Sequence, residues 1–202
     1  MDELGAESID ELKSASVLDI LKAQSRVDVR YNHMNIGNGV QAFYPVELNE
    51  VLPIPLRESI RADVGASVPV LTGTNKDENT LFVMEKVSSE RLRNQARAYG
   101  SESLVAAYRG MLPGATETEL AIELGTDFTF KIPAIRLAED RVARGADTWV
   151  YQFDWESRNA HLKATHALEI PFAFNMLMAT GVDAFIGKGE LPQAVADEMH
   201  GV

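Results

Sequence analysis

The stretch Val68-Pro-Val-Leu-Thr-Gly-Thr-Asn-Lys-Asp-Glu78 begins as an apolar run and becomes polar after its glycine. A short apolar run that contains β-branched residues and ends at a turn is typical of a buried strand. Such a strand can deliver a carboxylate to the edge of a sheet, where it is held rigidly and still faces a cleft. The stretch therefore predicts a strand over residues 68–71, a polar turn that starts at Gly73, and Glu78 as a candidate site residue.

A second stretch, Ala164-Thr-His-Ala-Leu-Glu-Ile-Pro-Phe-Ala-Phe174, carries a histidine into an apolar segment. A neutral imidazole can accept a nucleophile's proton at one nitrogen and donate to a carboxylate through the other. Glu78 and His166 would then form two members of a hydrolytic triad. Two plainer interpretations stay open: Glu78 at the solvated start of a helix, and His166 as a half-buried histidine bonded to the backbone.

Glu169 is a charged residue between two apolar neighbours, three positions after His166. A charge in such a segment either pairs with a neighbouring group or faces solvent from a helix start. We expect Glu169 at most to support the candidate pair through a neighbour, without reacting itself.

The third member of a triad is absent from these 202 residues. No Gly-x-Ser-x-Gly motif occurs, so there is no nucleophile elbow. The nearest case, Gly65-Ala-Ser-Val-Pro69, has proline where the second glycine would stand. No His-Gly-Gly run is present to supply the amides of an oxyanion hole.

Charge and composition limit the classes of molecule that the chain is expected to bind. A formal net charge of −11 opposes binding to nucleic acid or to an anionic membrane surface, so a neutral small molecule is the expected ligand. The chain has no cysteine, which removes disulfides, thiolate zinc sites and cysteine nucleophiles. His161 and His166 miss the four-residue spacing of two ligands on one helical face, so no metal or cofactor is expected. The acidic start lacks a secretory signal, which favours a cytoplasmic location.

Spacing and capping residues predict an α/β protein. A Ser8-Ile-Asp-Glu11 capping box opens a helix that extends to about residue 24. A turn, and not a phosphate cradle, is predicted at Gly37-Asn-Gly39. The alternating stretch Thr148-Trp-Val-Tyr-Gln-Phe-Asp154 is the clearest strand, and helices between strands indicate an α/β sheet. Further helices are predicted at residues 56–61, 79–84, 89–99, 101–111 and 116–124, with Gly125 ending the last of these, and from Pro133 to about Gly145.

Two strands are few for an α/β domain, which normally buries its strands between further strands and covering helices. The last helix, which begins near Leu191, stops almost as soon as its apolar spacing is established. The pattern favours part of a larger domain.

Five blocks, in order, resemble the type-B carboxylesterases, the branch of α/β-hydrolases that includes bacterial para-nitrobenzyl esterases and the cholinesterases. The two most specific are Gly-Thr-Asn-Lys-Asp-Glu78 and His166-Ala-Leu-Glu-Ile-Pro-Phe172. The blocks are Pro45-Val-Glu-Leu-Asn-Glu-Val-Leu-Pro53, Val68-Pro-Val-Leu-Thr-Gly-Thr-Asn-Lys-Asp-Glu-Asn-Thr-Leu-Phe82, Pro133-Ala-Ile-Arg-Leu-Ala138, Val150-Tyr-Gln-Phe-Asp-Trp155 and the histidine block.

The resemblance implies that Glu78 is the triad acid, His166 the general base and a small neutral carboxylic ester the substrate. It implies the C-terminal part of an α/β-hydrolase fold: late sheet strands with covering helices, and cap helices over residues 89–124. Residues 1–202 would form a partial domain that lacks the N-terminal half, with its nucleophile elbow, and the final C-terminal segment. That N-terminal half is the expected partner.

Two other interpretations stay open. A hydrolase fold that has lost its serine can serve as a non-catalytic binding or assembly module, since fold does not fix function. An unpaired strand edge beside residues 68–71 can also recruit a second strand, which predicts self-association of the chain.

Overall fold

The structure is a computed structural model that describes the backbone of residues 1–32 and 47–202, and the side chains of residues 1–27 and 47–202. The chain divides into two compact units, Met1–Val46 and Glu47–Val202. The turn predicted at Gly37-Asn-Gly39 lies outside the described residues.

Within residues 1–32, the described part of the first unit, two α-helices occur where the sequence predicted one. Helix α1 (Ile9–Ser14) begins at Ser8, whose side chain accepts a hydrogen bond from the Glu11 amide as predicted. The helix ends at Ala15, which is extended with φ −65° and ψ 148°. Helix α2 (Val17–Asn32) follows directly, because the Ser16 hydroxyl accepts from the Asp19 amide and restarts the helix. The prediction of one continuous helix was wrong for this reason.

The second unit is built around two parallel strands. Strand β1 (Val70–Asn75) pairs with β2 (Thr148–Phe153), with Val70 opposite Thr148 and Asn75 opposite Phe153. Parallel strands joined through helices confirm the predicted α/β class. β1 extends past Gly73, where the sequence predicted a polar turn. At that position a Cβ would lie 2.4 Å from Cδ1 of Tyr151. The glycine therefore allows the strand to approach the Tyr151 ring closely, and it does not form a turn.

One helix precedes β1, and further helices fill the long connection from β1 to β2. They are α3 (Leu56–Arg61) before β1, then α4 (Ser89–Ala98), α5 (Ser103–Met111), α6 (Glu117–Thr126) and α7 (Ile132–Val142). A π-helical turn, Asp127–Lys131, joins α6 to α7 without a break. The predicted helix end at Gly125 was therefore wrong. Gly125 is buried inside α6, where a Cβ would lie only 2.1 Å from Nδ2 of Asn79.

The helix predicted at residues 79–84 is a 3₁₀ segment, Glu78–Leu81. Two of its backbone groups make tertiary contacts: the Asn79 amide donates to Oγ1 of Thr126, 3.1 Å away in α6, and the Glu78 carbonyl accepts from the His166 amide. A regular α-helix does not form here because these polar groups bond across the fold.

Beyond β2 the chain forms three short helices, α8 (Ile170–Ala173), α9 (Asp183–Ile186) and α10 (Gln193–His200). They pack around the fully buried Phe172, whose ring centroid lies 5.0 Å from those of Phe153 and Trp155. This core fixes the segment that carries His166 against the end of β2. The buried core residues are Phe153, Leu168, Phe172, Leu177, Ile186 and Ala196.

Within the described residues β1 and β2 pair only with each other, so each strand has one edge without a neighbouring strand. Three large apolar side chains of these strands, Leu71, Trp149 and Val150, are exposed by 54%, 56% and 51%. In the part of the chain that the structure describes, no helix has the length and hydropathy needed to cross a bilayer.

Candidate active site

Glu78 and His166, which are 88 residues apart in sequence, meet beyond the carboxyl ends of the two strands. Oε2 of Glu78 lies 2.7 Å from Nδ1 of His166, and the His166 amide donates to the Glu78 carbonyl at 3.3 Å. The Glu78 side chain is 7% exposed and the His166 side chain 40% exposed. The predicted contact is present, with the carboxylate buried behind a half-open imidazole.

The Glu78 carboxylate is held at both oxygens. Oε1 accepts a hydrogen bond of 2.8 Å from the backbone amide of Asn75, the last residue of β1. Oε2 faces the imidazole. Because the strand fixes the Asn75 amide, the carboxylate has a defined orientation before any substrate arrives.

The loops that carry the two residues are bonded to each other along their length. The Lys76 amide donates to the Phe153 carbonyl at 3.0 Å, which extends the pairing of the strands by one step. The Asp77 amide donates to the Ala164 carbonyl, also at 3.0 Å. Oγ1 of the buried Thr80 lies 2.8 Å from Oγ1 of Thr165, the residue before His166. These bonds hold the acid and the histidine in one rigid arrangement.

Two aromatic rings flank the imidazole. The centroids of Phe82 and Phe130 lie 5.3 Å and 5.1 Å from the His166 ring centroid, at interplanar angles of 45° and 42°. Phe130 comes from the π-helical turn, so that irregular turn places a side chain directly at the site. The rings limit the rotation of the imidazole and give its surroundings an apolar character.

The hydrogen bond from His166 to Glu78 raises the pKa of the imidazole above its ordinary value of 6.5. Burial opposes this rise in pKa, and the negative charges of Glu78 and Glu169 add to it. In the neutral form, Nδ1 carries the proton and donates it to Glu78, which leaves Nε2 as the acceptor. No residue in the described part of the chain bonds Nε2 of His166, so this nitrogen is available to take a proton.

Glu169 lies immediately before α8 and does not contact Glu78 or His166 by a hydrogen bond. Its Oε2 instead accepts a short hydrogen bond from Nδ2 of Asn75, and the same Nδ2 donates to the Thr165 carbonyl at 2.6 Å. Asn75 was missed at the level of sequence. The available signal was a polar residue with a side-chain amide closing an apolar strand, two positions before the Asp77-Glu78 pair.

A cavity of about 440 Å³ lies beside the loop of the acid and is lined by Asp77, Glu123, Lys163 and the residues that follow α5. Neither Glu78 nor His166 lines it. Burial raises the pKa of both Asp77 and Glu123, against the nearby positive charge of Lys163. Among the described residues, no three His, Asp or Glu side chains are placed to hold a metal ion.

A model of the carboxylesterase family matches residues 3–199. The para-nitrobenzyl esterase of Bacillus subtilis (strain 168) is 29% identical over 197 residues, which cover 95% of this chain and 38% of that protein. This chain thus spans less than two fifths of the length of that curated relative. The family resemblance inferred from the motifs is confirmed.

Proposed function

The chain belongs to the carboxylesterase family, and we propose that it supplies the acid and the general base of a serine ester hydrolase. Its parallel strands and covering helices belong to part of an α/β-hydrolase fold. The observation that carries the proposal is the 2.7 Å contact between Oε2 of Glu78 and Nδ1 of His166. It engages Nδ1 of an imidazole whose side chain is 40% exposed, and Nε2 has no bond to any described residue.

In the proposed reaction, a serine from outside this chain attacks the carbonyl carbon of a neutral carboxylic ester. Nε2 of His166 accepts the serine proton as the new C–O bond forms. Glu78 keeps the Nδ1 proton in place and stabilises the imidazolium. The imidazolium then protonates the departing alcohol, which leaves an acyl-enzyme. A water molecule, deprotonated by His166, releases the acid and restores the serine.

The proposed partner is a polypeptide segment that carries the nucleophile elbow and the oxyanion-hole amides. In the described parts of the chain, β1 and β2 each have one edge without a neighbouring strand, and this supports the proposal because unpaired strand edges recruit further strands. The exposed apolar side chains of Leu71, Trp149 and Val150 support it too, since a neighbouring part of a hydrolase fold would cover them.

The proposal predicts that this chain hydrolyses esters only when a polypeptide with the nucleophile and the oxyanion-hole amides is added to it. This chain alone should hydrolyse para-nitrophenyl butyrate at close to the background rate, because a base and an acid without nucleophile or oxyanion donors retain little catalytic power. Co-expression with a polypeptide that carries the nucleophile elbow and the oxyanion-hole amides should raise the rate by at least about 10³-fold.

The matched control for that measurement is the same complex with His166→Gln, which should lose most of the gain in rate, because the serine then has no general base. A complex that forms but shows no hydrolysis would contradict the esterase proposal. It would favour the alternative, a binding or assembly module derived from a hydrolase.

The open strand edges also favour a second arrangement, in which copies of this chain associate with each other. In that case the molar mass measured by light scattering should rise with protein concentration. Leu71→Lys, which places a charge on the exposed apolar surface of β1, should weaken the rise. A monomer at every concentration would exclude self-association.

A further inference from the structure

Asn75 occupies the point where the loops of Glu78 and His166 meet. It is the last residue of β1, it lies opposite Phe153 of β2, and only 1% of it is exposed. Most buried side-chain amide groups are hydrogen-bonded; Nδ2 of Asn75 has two partners, whereas its buried Oδ1 has none among the described residues. The two partners of Nδ2 are therefore informative about the role of Asn75.

The backbone of Asn75 orients the acid. Its amide donates to Oε1 of Glu78 at 2.8 Å, which leaves Oε2 toward His166. Parallel pairing with β2 fixes the direction of this amide. The orientation of the carboxylate is therefore tied to the sheet itself.

The side chain of Asn75 holds the turn that presents the histidine. Nδ2 donates to the Thr165 carbonyl at 2.6 Å and to Oε2 of Glu169, so it bonds residues on both sides of His166. Both partners are acceptors, which sets the amide orientation, because a flipped amide would point its oxygen at two other oxygens.

The turn held in this way is strained. Ala167, which directly follows His166, has φ +65°, a left-handed conformation that residues with a side chain rarely adopt. Such a conformation persists only where the surrounding structure holds it in place. The two bonds from Asn75 are anchored on either side of Ala167 and provide that restraint.

We propose that Asn75 is a positioning residue for the acid–base pair: its backbone amide orients Glu78 and its side-chain amide clamps the turn that presents His166. The side-chain clamp is a structural property of this chain and does not depend on the proposed esterase function. Only its catalytic consequence rests on the proposed esterase function.

The test is Asn75→Ala, which keeps the backbone amide and removes the clamp. The readout is the low-field proton resonance of Nδ1–H of His166 in the isolated chain. We expect exchange of this proton with water to accelerate about tenfold, the effect of losing one to two hydrogen bonds that restrain the imidazole. In the complemented enzyme, kcat should fall while KM stays unchanged.

Leu92→Ala is the structural control, because Leu92 is buried in α4 and makes no polar contact with the pair. It should lower the urea midpoint without accelerating exchange at His166. Equal exchange in Asn75→Ala and the unmodified chain would overturn the proposal. Accelerated exchange without hydrolysis in any complemented form would retain the clamp and reject the esterase function.

If Asn75→Ala does not fold, a second pair of variants replaces it. Glu169→Gln removes the charge and keeps an acceptor for Nδ2 of Asn75, whereas Glu169→Ala removes both. The clamp predicts accelerated exchange of the His166 proton in Glu169→Ala relative to Glu169→Gln. The same exchange rate in both variants would contradict it.

Discussion

Glu78→Gln is expected to lower kcat of the complemented enzyme by about 10⁴-fold with little change in KM, as for the equivalent change in other triads. Oε1 of residue 78 accepts from the Asn75 amide, so the glutamine oxygen should occupy that position. The glutamine NH₂ would then face Nδ1 of His166 and donate to it. This moves the imidazole proton to Nε2, the nitrogen that has to accept the serine proton.

Hydrolysis of para-nitrophenyl butyrate by the complemented variant measures the effect on kcat. Glu156→Gln is the control, since Glu156 is an exposed carboxylate paired at 3.8 Å with Lys76. It should leave kcat unchanged. A Glu78→Gln enzyme that keeps more than a tenth of the activity would remove Glu78 from the triad.

The same variant should change how stability depends on pH. The pKa of His166 is raised in the folded state, chiefly by its hydrogen bond to Glu78. A group with a raised folded pKa stabilises the fold fully below its unfolded pKa, and this contribution is lost as pH rises through the folded value. The stability difference between the unmodified chain and Glu78→Gln should therefore be larger below about pH 6.5 than above the raised pKa.

Urea unfolding at a series of pH values measures that difference. Glu156→Gln again serves as the control and should show no comparable pH dependence. A difference in unfolding free energy that grows as pH rises would contradict the assigned direction of the His166 shift.

Gly125→Ala is expected to destabilise the fold by about 1–3 kcal/mol, the range for overpacking a close-packed interior. The new Cβ would lie 2.1 Å from Nδ2 and 2.7 Å from Cγ of Asn79, which is only 2% exposed. Asn79 follows Glu78 directly, and its amide donates to Thr126 of α6. The collision should therefore also displace the acid.

Gly110→Ala in α5 is the matched control, because nothing lies within 4 Å of the Cβ that it would add. Both glycines are in helices, so both changes share the gain in helix propensity of up to about 1 kcal/mol. Gly110→Ala should stabilise the chain slightly, and the difference between the two variants isolates the collision at Asn79. Urea unfolding of both variants measures it, and equal midpoints would refute the packing argument.

Local signals in the sequence predicted several elements well. The Ser8 and Thr116 caps start their helices through side-chain bonds to nearby amides, which depend only on neighbouring residues. The alternating aromatic and β-branched residues of β2 predicted its strand within one residue. These features could be predicted from the sequence because the residues that cause them lie within a few positions of one another.

The glycines were harder to interpret, because a missing side chain signals either a turn or a close approach. Gly73 and Gly125 were both predicted to end elements, and both lie inside them. The groups that require glycine there are the Tyr151 ring and the Asn79 side chain. They come from distant parts of the sequence, so no local pattern could identify them.

The sequence by itself determined the α/β class, the family and the candidate acid and histidine, because these depend on local periodicity and on two short motifs. Only the tertiary structure decided that Oε2 of Glu78 meets Nδ1 of His166 and that Glu169 bonds Asn75 instead of either of them. The physical reason is the parallel register of β1 and β2. It brings loops almost 90 residues apart to one sheet edge, where hydrogen bonds across space select the partners.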